Sequence, residues 1–296
     1  MKHISVCICT FRRPALLRRL LCELSRQETE GHFTYSVVVA DNDFNESAKG
    51  VVADFSFSSS MKVTYCVEPR QNIALARNKA LEHSTGDYIA FIDDDEFPIQ
   101  GWLTILLKTC NEYGAAGVLG PVRPWFDHEP PNWVLEGHFF NRPEHATGYK
   151  MGMWDARTGN VLFARRVLDG VEVPFRSEFG TAGEDIDFFR RMMEKGDVFV
   201  WCNDAVVYEV VPPDRCTRRY LLRKSFLRAS NFLKHPADRT TNLLKSIVAV
   251  PAYAAVLPVL AFAGHHHFMK YLIKFCDHAG RIMTLLHINP VNERDR

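Results

Sequence analysis

The sequence predicts an α/β protein, with a mixed, mostly parallel sheet and helices on both of its faces. Short apolar runs rich in β-branched residues alternate with stretches of helical spacing, and the early runs end at clusters of polar residues. An apolar content of 47% over 296 residues is ample for a globular core. In such sheets ligands bind at the carboxyl ends of the strands, where these polar clusters fall.

The first part of the chain follows this alternation closely. A strand is predicted for residues 4–9, and an amphipathic helix rich in leucine begins at Pro14. Strands follow at 37–40 and 63–67, and the second of them leads into a helix at 73–83. The predicted order is therefore strand, helix, strand, strand, helix, which is typical of a parallel sheet covered by helices.

Polar side chains at these strand ends form a candidate nucleotide site. The candidates are Thr10, Arg12, Arg13, Asp41, Asn72 and Arg77. A carboxylate can accept the imide N–H of uracil, and guanidinium groups can bind diphosphate oxygens through paired hydrogen bonds. The alternative for any one of them is an ordinary loop charge or a helix cap. Sites for NAD and P-loop nucleotides are excluded, because neither G-x-G-x-x-G nor G-x-x-x-x-G-K-[ST] occurs.

A fourth apolar run, residues 88–92, ends abruptly at an acidic cluster. The cluster is Asp93, Asp94, Asp95 and Glu96. Adjacent carboxylates beside a core repel one another, so they need a cation or solvent. Alternation along an extended chain puts Asp93 and Asp95 on one face, where they can hold Mg²⁺ or Mn²⁺, and such an ion can bind a diphosphate. The alternative is a solvated acidic turn.

The pattern after the acidic cluster is less regular. A helix is predicted at 102–113 and a strand at 116–122, and residues 123–157 are rich in aromatic, proline and histidine residues. That segment can stack on sugar rings and close over a ligand, or it can be packed into the core. A strand returns at 158–164, with Asn160 placed to contact substrate at its start.

A second acidic pair follows Gly183. Glu184 and Asp185 are predicted to begin a helix that runs to Lys195, where the helix dipole favours anions. The glycines before the pair permit a close approach to a ligand. The alternative is ordinary negative charge at a helix N-terminus.

The C-terminal region is first basic and then apolar. Its basic residues, from Arg215 to Arg228, are interleaved with aromatic and leucine residues that include Phe232. This pattern is typical of a segment that binds an anionic membrane surface or a lipid-linked pyrophosphate. The alternative is a solvated helical face. Residues 247–264 are uncharged and near the lower length limit for a bilayer span. Two prolines in this run make a re-entrant or interfacial hairpin at least as consistent, and a buried helical pair is the soluble alternative.

Several of these motifs resemble one known family. They are Cys9-Thr-Phe-Arg-Arg-Pro14, the strand end at 38–42, the segment 71–78 and Phe91-Ile-Asp-Asp-Asp-Glu96. Together they resemble the family 2 glycosyltransferases, which have the Rossmann-like GT-A fold, and the resemblance covers most of residues 3–235. The four acidic residues and Gly183-Glu-Asp-Ile-Asp-Phe-Phe189 are similar to bacterial exopolysaccharide transferases of the succinoglycan ExoM type.

The resemblance implies roles for individual residues. It implies an inverting transferase in which Asp95 is the most direct metal ligand, and Asp93 or Asp94 lies near the ribose and the metal-bound diphosphate. It also implies that Asp185 is the base that deprotonates the acceptor hydroxyl, while Glu184 holds the acceptor or the helix start. Glu209 stands where many relatives have a histidine that ligates the metal, and Arg215 is implied as a diphosphate contact.

The resulting expectation is a transferase domain at 1–212 and a membrane-associated helical region at 213–296. The chain is expected to move a hexose from a UDP-sugar to a polyprenyl-pyrophosphate-linked glycan, at the cytoplasmic face of a bacterial inner membrane and beside other polysaccharide assembly proteins. Nucleic acid is not expected as a partner, because the net charge is only +1. The alternatives are a sugar-phosphate nucleotidyltransferase and a catalytically silent sugar- or lipid-binding scaffold.

Overall fold

The computed structural model describes residues 1–153, 155–180, 183–231 and 239–288. Trp154, an aromatic residue of the segment 123–157, and Phe232 lie outside the described residues. The strands are β1 (Lys2–Thr10), β2 (Phe33–Asp41), β3 (Val63–Val67), β4 (Tyr88–Phe91), β5 (Glu96–Pro98), β6 (Gly117–Leu119), β7 (Val122–Trp125), β8 (Val161–Ala164), β9 (Phe199–Trp201) and β10 (Val207–Val210). The helices are α1 (Pro14–Leu24), α2 (Lys49–Ser58), α3 (Ile73–Glu82), α4 (Trp102–Glu112), α5 (Asn132–Gly137), α6 (Glu184–Glu194), α7 (Arg218–Asn231), α8 (Arg239–Ala263) and α9 (His265–Leu285).

A seven-stranded sheet forms the centre of the fold. Its order is β3-β2-β1-β4-β8-β6-β9. The strands pair in parallel except for β8, which is antiparallel to both β4 and β6. The predicted mixed, mostly parallel sheet is therefore confirmed. The strand order reverses between β1 and β4, and in sheets of this kind the ligand crevice lies at that point, beyond the carboxyl ends of the strands.

Helices cover both faces of this sheet, as predicted. Alternate residues of β1 pack into two separate apolar clusters, with Ile4, Val6 and Ile8 in one and Cys7 in the other. The first cluster contains buried leucines of α1 and Trp102 of α4, and the second contains alanines of α3 and phenylalanines of α6. The strand ends therefore project from a sheet that is packed on both sides.

The strand predicted at 116–122 is wrong as a single element. The chain breaks at Gly120-Pro121, so that β6 stays in the large sheet while β7 joins a small sheet of order β5-β10-β7. Pro121 has no N–H to donate to a ladder. At Gly120 any Cβ would lie 2.4 Å from the Ala205 carbonyl oxygen, so only glycine permits this close approach.

The internal contacts divide the chain into two compact units. One comprises residues 1–124 and 142–209, and the other comprises residues 125–141 and 210–296. In the second unit α9 packs against α5, α7 and α8. His266 at the start of α9 lies 2.8 Å from the Glu136 carboxylate of α5, and the neighbouring His265 ring contacts Trp133 edge-on. The domain division at residue 212 stays a prediction.

Helix α8 contradicts two of the interpretations offered for residues 247–264, the hairpin and the buried helical pair. It runs without interruption through Pro251 and Pro258, so the run is not a hairpin. It is also not buried, because Val248, Val259 and Phe262 are largely exposed and almost none of the segment Asn242–Ala263 is covered by protein. In the described part of the chain this is the one helix that is long and apolar enough to cross a bilayer.

Candidate active site

The ends of β1 and β4 bring a basic loop and the acidic cluster together. The Thr10 hydroxyl donates to the Asp94 carboxylate at 2.8 Å. One guanidinium nitrogen of Arg13 donates to Asp94 at 3.0 Å and to Asp95 at 3.1 Å. Arg13 and Asp94 are thus adjacent, as expected for residues at the carboxyl ends of neighbouring parallel strands. The carboxylates of Asp94 and Asp95 therefore share the Arg13 guanidinium as a hydrogen-bond donor.

Arg77 on α3 connects the two acidic clusters. Its buried guanidinium donates to Glu184 at the start of α6 and lies 3.7 Å from the Asp93 carboxylate. The segment before α6 also contacts the start of α3, where Ile73 N donates to the Gly180 carbonyl at 3.3 Å. Any Cβ at Gly180 would overlap the side chain of Asn72, so this contact requires glycine. The acidic cluster after β4 and the acidic start of α6 are therefore both in contact with Arg77.

The two acidic residues at the start of α6 have different surroundings. Glu184 is buried and paired with Arg77, and burial raises its pKa although Arg77 opposes the shift. Asp185 is only half-buried, and its carboxylate accepts a hydrogen bond from Ile186 N at 2.8 Å. Asp187 is buried and bonded to Arg191 at 2.8 Å. Of these three, Asp185 has the carboxylate that is most open to a substrate, and Glu184 is placed to position Arg77.

The carboxylates after β4 are held in an environment that disfavours their charge. Asp93 keeps 44% of its side chain accessible, yet desolvation by the surrounding protein raises its pKa, against the effect of Arg77. Burial raises the pKa of Asp94 to about 6, and it raises the pKa of Glu96 well above the usual range. Glu96 is completely buried, with one oxygen accepting from Asp93 N at 3.1 Å.

The side chains here fit a hard divalent cation. The site contains the carboxylates of Asp93, Asp94, Asp95, Glu96, Glu184 and Glu209, and the arginines that pair with them in the described residues include Arg13, Arg77 and Arg142. Glu96 has one buried oxygen without a hydrogen-bond partner. Any Cβ at Gly159 would lie 2.8 Å from that oxygen and 3.3 Å from an Asp93 oxygen, so glycine keeps this place open. Carboxylate oxygens are the donors that Mg²⁺ and Mn²⁺ prefer.

These carboxylates are already paired with arginines in the present arrangement. In the described ranges, no group of three or more histidine, cysteine, aspartate or glutamate side chains is already arranged as a metal site. Asp95 is bonded to Arg13, and Glu209 is bonded to Arg142. The metal roles predicted for Asp93, Asp95 and Glu209 therefore stay predictions.

Three residues predicted to contact ligand have side chains that are hydrogen-bonded within the protein, and their ligand roles stay predictions. Asp41 is fully buried, and its oxygens accept from Asp43 N, Ala48 N and the Tyr65 hydroxyl, so it organises its own loop and is not exposed to a base. Asn72 caps α3 by accepting from Ala74 N and Leu75 N.

Asn160 is the third of these residues. It is fully buried, where it accepts from the Trp102 indole at 2.8 Å and donates to the carbonyls of Pro121 and Ala205. Both ends of its amide are thus used inside the protein, where it joins three segments of the chain.

Two predicted arginines lie at the surface or in the other unit. Arg12 is exposed and paired with Asp43 at 3.1 Å, and its backbone has the unusual positive φ of 55°. Arg215 belongs to the second unit, in the short turn Pro213–Cys216. The diphosphate contacts expected of both stay predictions.

Sequence reasoning missed three residues of this site. Glu96 was recognised as acidic but not as a site residue, although it holds the Asp93 backbone. Gly159 was not singled out, and Arg142 lies in the irregular aromatic segment, where no periodicity marks it. The only available signal was for Gly159, since a glycine at the start of a buried strand often indicates a close approach.

Comparisons with known proteins agree with this geometry. The family model "Glycosyl transferase family 2" matches residues 5–170, which is more than half of the chain. The chain is 32% identical to the succinoglycan biosynthesis protein ExoM of Rhizobium meliloti, over 98% of this chain and 95% of that protein. It is 26% identical to the GalNAc(5)-diNAcBac-PP-undecaprenol beta-1,3-glucosyltransferase of Campylobacter jejuni, over 40% of this chain and 38% of that protein.

Solved structures of low sequence identity share the fold. The mannosyltransferase PcManGT from Pyrobaculum calidifontis, in complex with GDP-Man and Mn²⁺, has a TM-score of 0.64 at 17% identity, covering 96% of this chain and 87% of that one. S. aureus TarS 1-349, in complex with UDP-GlcNAc, has a TM-score of 0.56 at 14% identity, covering 97% and 93%. These neighbours are GT-A glycosyltransferases, so the predicted fold class is confirmed. With the family model and the near full-length similarity to ExoM, the chain belongs to glycosyltransferase family 2.

Proposed function

We propose that this glycosyltransferase moves a hexose from a UDP-sugar to a polyprenyl-pyrophosphate-linked oligosaccharide, with inversion at the anomeric carbon, in bacterial exopolysaccharide or surface glycan synthesis. The observation that carries the proposal is the position of Arg77 between Glu184 and Asp93. It puts Asp93, which would hold the cation bound to the donor diphosphate, beside the same buried guanidinium as Glu184, whose chain neighbour Asp185 would deprotonate the acceptor.

The protein's own residues supply most of the chemistry in this proposal. Asp185 accepts the proton of the acceptor hydroxyl as its oxygen attacks C1 of the donor sugar, and the bond from C1 to the diphosphate oxygen breaks with its electrons leaving on UDP. Arg77 and Glu184 hold the start of α6 against the acidic cluster, so Asp185 keeps its place. A divalent cation, held by Asp93 and Asp95, would neutralise charge on the diphosphate.

A small cavity beside the acidic cluster supports a sugar substrate. Its volume is about 170 Å³, and its lining includes Gly159, Arg142, Asp155, Arg157 and Trp201. Gly159 lies against Asp93 and Glu96, so the cavity adjoins the proposed cation site. Hydrogen-bonding side chains beside an aromatic ring are typical of sites that bind polar rings.

The donor and acceptor classes are supported by what the similar proteins are named for. TarS was solved with UDP-GlcNAc and PcManGT with GDP-Man and Mn²⁺, while the Campylobacter protein is named for an undecaprenol-linked acceptor. ExoM is named for succinoglycan biosynthesis. The proposed UDP-sugar is thus one of two nucleotide classes found among structural neighbours, and the assay must include both.

The test is release of nucleoside diphosphate in the presence of bacterial lipid extract. The full chain is incubated with UDP-glucose, UDP-galactose, UDP-GlcNAc or GDP-mannose, with Mn²⁺ or Mg²⁺, and the lipid products are identified by mass spectrometry. We expect UDP release with one of the UDP-sugars, loss of release on chelation with EDTA, and a hexose added to a lipid-linked glycan. Release of GDP alone would contradict a UDP-sugar as the donor. Release that EDTA does not affect would contradict the need for a divalent metal.

We also propose that α8 attaches the protein to the cytoplasmic face of the membrane. Its apolar residues are exposed, and four basic residues of α7, Arg218, Arg219, Lys224 and Arg228, are exposed in the same unit. Apolar side chains beside basic ones are typical of segments that bind anionic bilayers. Protein placed there would have access to a polyprenyl-linked acceptor.

Phe262→Asp is expected to weaken binding to phosphatidylglycerol vesicles at least tenfold, on the order of 1.4 kcal/mol, because a charge replaces an inserted apolar ring. Phe262 is 94% exposed, and Phe57 in the first unit is 95% exposed, so Phe57→Asp is a matched control that should bind like the unaltered protein. Co-sedimentation with vesicles measures both. Equal losses in the two variants, or no binding by the unaltered protein, would contradict the assignment of α8.

A further inference from the structure

Two glutamates of the small sheet face each other across its ladder. Glu96 of β5 and Glu209 of β10 are direct partners in the antiparallel pairing, so their side chains lie on the same face. Like charges in such a position are destabilising. Glu96 is completely buried and Glu209 is only 20% exposed, so solvent screens them poorly. A positive charge nearby is therefore needed if both carboxylates are to be ionised.

Arg142 supplies that charge. Its guanidinium donates to Glu209 and lies 4.0 Å from the nearest oxygen of Glu96. Glu96 in turn accepts from the backbone N–H of Asp93 at 3.1 Å. A chain of contacts thus runs from Arg142 through Glu96 to Asp93, one of the two residues proposed to hold the cation.

We propose that Arg142 is the internal counter-ion of the Glu96–Glu209 pair, and that Glu209 balances this arginine instead of ligating the metal. Arg142 is then a positioning residue that sets the affinity of Asp93 and Asp95 for a divalent cation. Its own charge repels the incoming ion, and its contact with Glu96 keeps the Asp93 backbone in place. The inference rests on the proposed cation site and replaces the metal role predicted for Glu209.

The charges of Arg142 and Glu209 predict how the affinity for Mn²⁺, measured without nucleotide, changes in the single and double variants. Arg142→Gln removes a positive charge, so Mn²⁺ binding should become about tenfold tighter. Glu209→Gln leaves Arg142 without that balancing charge, so binding should become about tenfold weaker. The double variant removes one charge of each sign, and its affinity should return to within about threefold of the unaltered protein. A residue with a merely structural role would not tighten binding when it is removed.

Each variant of the full chain is titrated with MnCl₂ in the absence of nucleotide. Binding is measured by calorimetry and by the electron paramagnetic resonance signal of free Mn²⁺. Arg123→Gln is the matched control. Arg123 donates to Glu144 at 2.9 Å and so anchors the segment that contains Arg142, but the described hydrogen bonds of Arg123 do not include a site carboxylate. It should leave the affinity unchanged. Thermal unfolding of each variant checks that it is folded.

The outcomes separate this inference from the proposed function. A double variant that binds as weakly as Glu209→Gln would make Glu209 a ligand and overturn the inference, as would an Arg142→Gln variant with unchanged or weaker affinity. If Arg142→Gln fails to fold, the comparison of Glu209→Gln with the double variant still decides the role of Glu209, since recovery in the double supports the counter-ion role. No Mn²⁺ binding by the unaltered protein would contradict the cation site itself, and the inference with it.

Discussion

Asp185→Asn is expected to lower turnover about a thousandfold while leaving donor binding nearly unchanged. The variant keeps the shape of the side chain and the hydrogen bond accepted from Ile186 N, but its amide cannot take the proton of an acceptor hydroxyl. Donor binding should persist, because the proposed diphosphate and cation contacts lie at the ends of β1 and β4. The measurement is kcat from UDP release, with donor affinity from calorimetry.

A matched control lies at the other end of the same helix. Glu194 of α6 is exposed, and Glu194→Gln should have unaltered turnover.

Glu184→Gln is expected to act differently, through the position of Arg77, and should reduce stability as well as turnover. Turnover at the unaltered rate in Asp185→Asn would remove Asp185 as the base. UDP-sugar binding without turnover in the unaltered chain would instead favour a catalytically silent sugar-binding protein.

The strand ends of the large sheet could be predicted because their signals are local. The run Val63–Val67 was predicted with its observed bounds, and the start of α6 at Glu184 was predicted from the glycine and the acidic pair. Helix α2 was not predicted. Its buried residues are Val52 and Phe55, which are too few to give a clear helical period.

Side-chain partners that come from distant parts of the chain could not be predicted. Asn160 looked available at the start of a strand, but Trp102, Pro121 and Ala205 meet around it. Arg142 lies in a segment without periodicity, and only the pairing of β5 with β10 puts two glutamates where they need it. A sequence pattern indicates which residues share a strand end, but it does not indicate which cation neutralises them.

Arg77→Gln is expected to have the largest effect on stability. Arg77 is buried with Glu184, and removing one partner of a buried pair leaves the other charge uncompensated, which typically costs about 3–5 kcal/mol of unfolding free energy. Burial already raises the pKa of Glu184, so the variant can relieve part of this cost by protonating Glu184. Because the folded state then binds the extra proton, the deficit should be smaller at about pH 5 than at about pH 8. Urea unfolding at both pH values measures it.

Two further variants show whether the lost stability belongs to the pair. Lys79→Gln removes a cation two residues along the same helix, where Lys79 bonds to Glu82 at the surface, and it should cost no more than about 0.5 kcal/mol. Arg77→Gln combined with Glu184→Gln removes both charges and should recover much of the loss. A double variant no more stable than Arg77→Gln, or a cost below about 1 kcal/mol for Arg77→Gln, would contradict the view that this pair holds α6 beside the acidic cluster. Recovery of stability without recovery of turnover in the double variant would indicate that Arg77 also acts on Asp93 or the donor, since it lies 3.7 Å from that carboxylate.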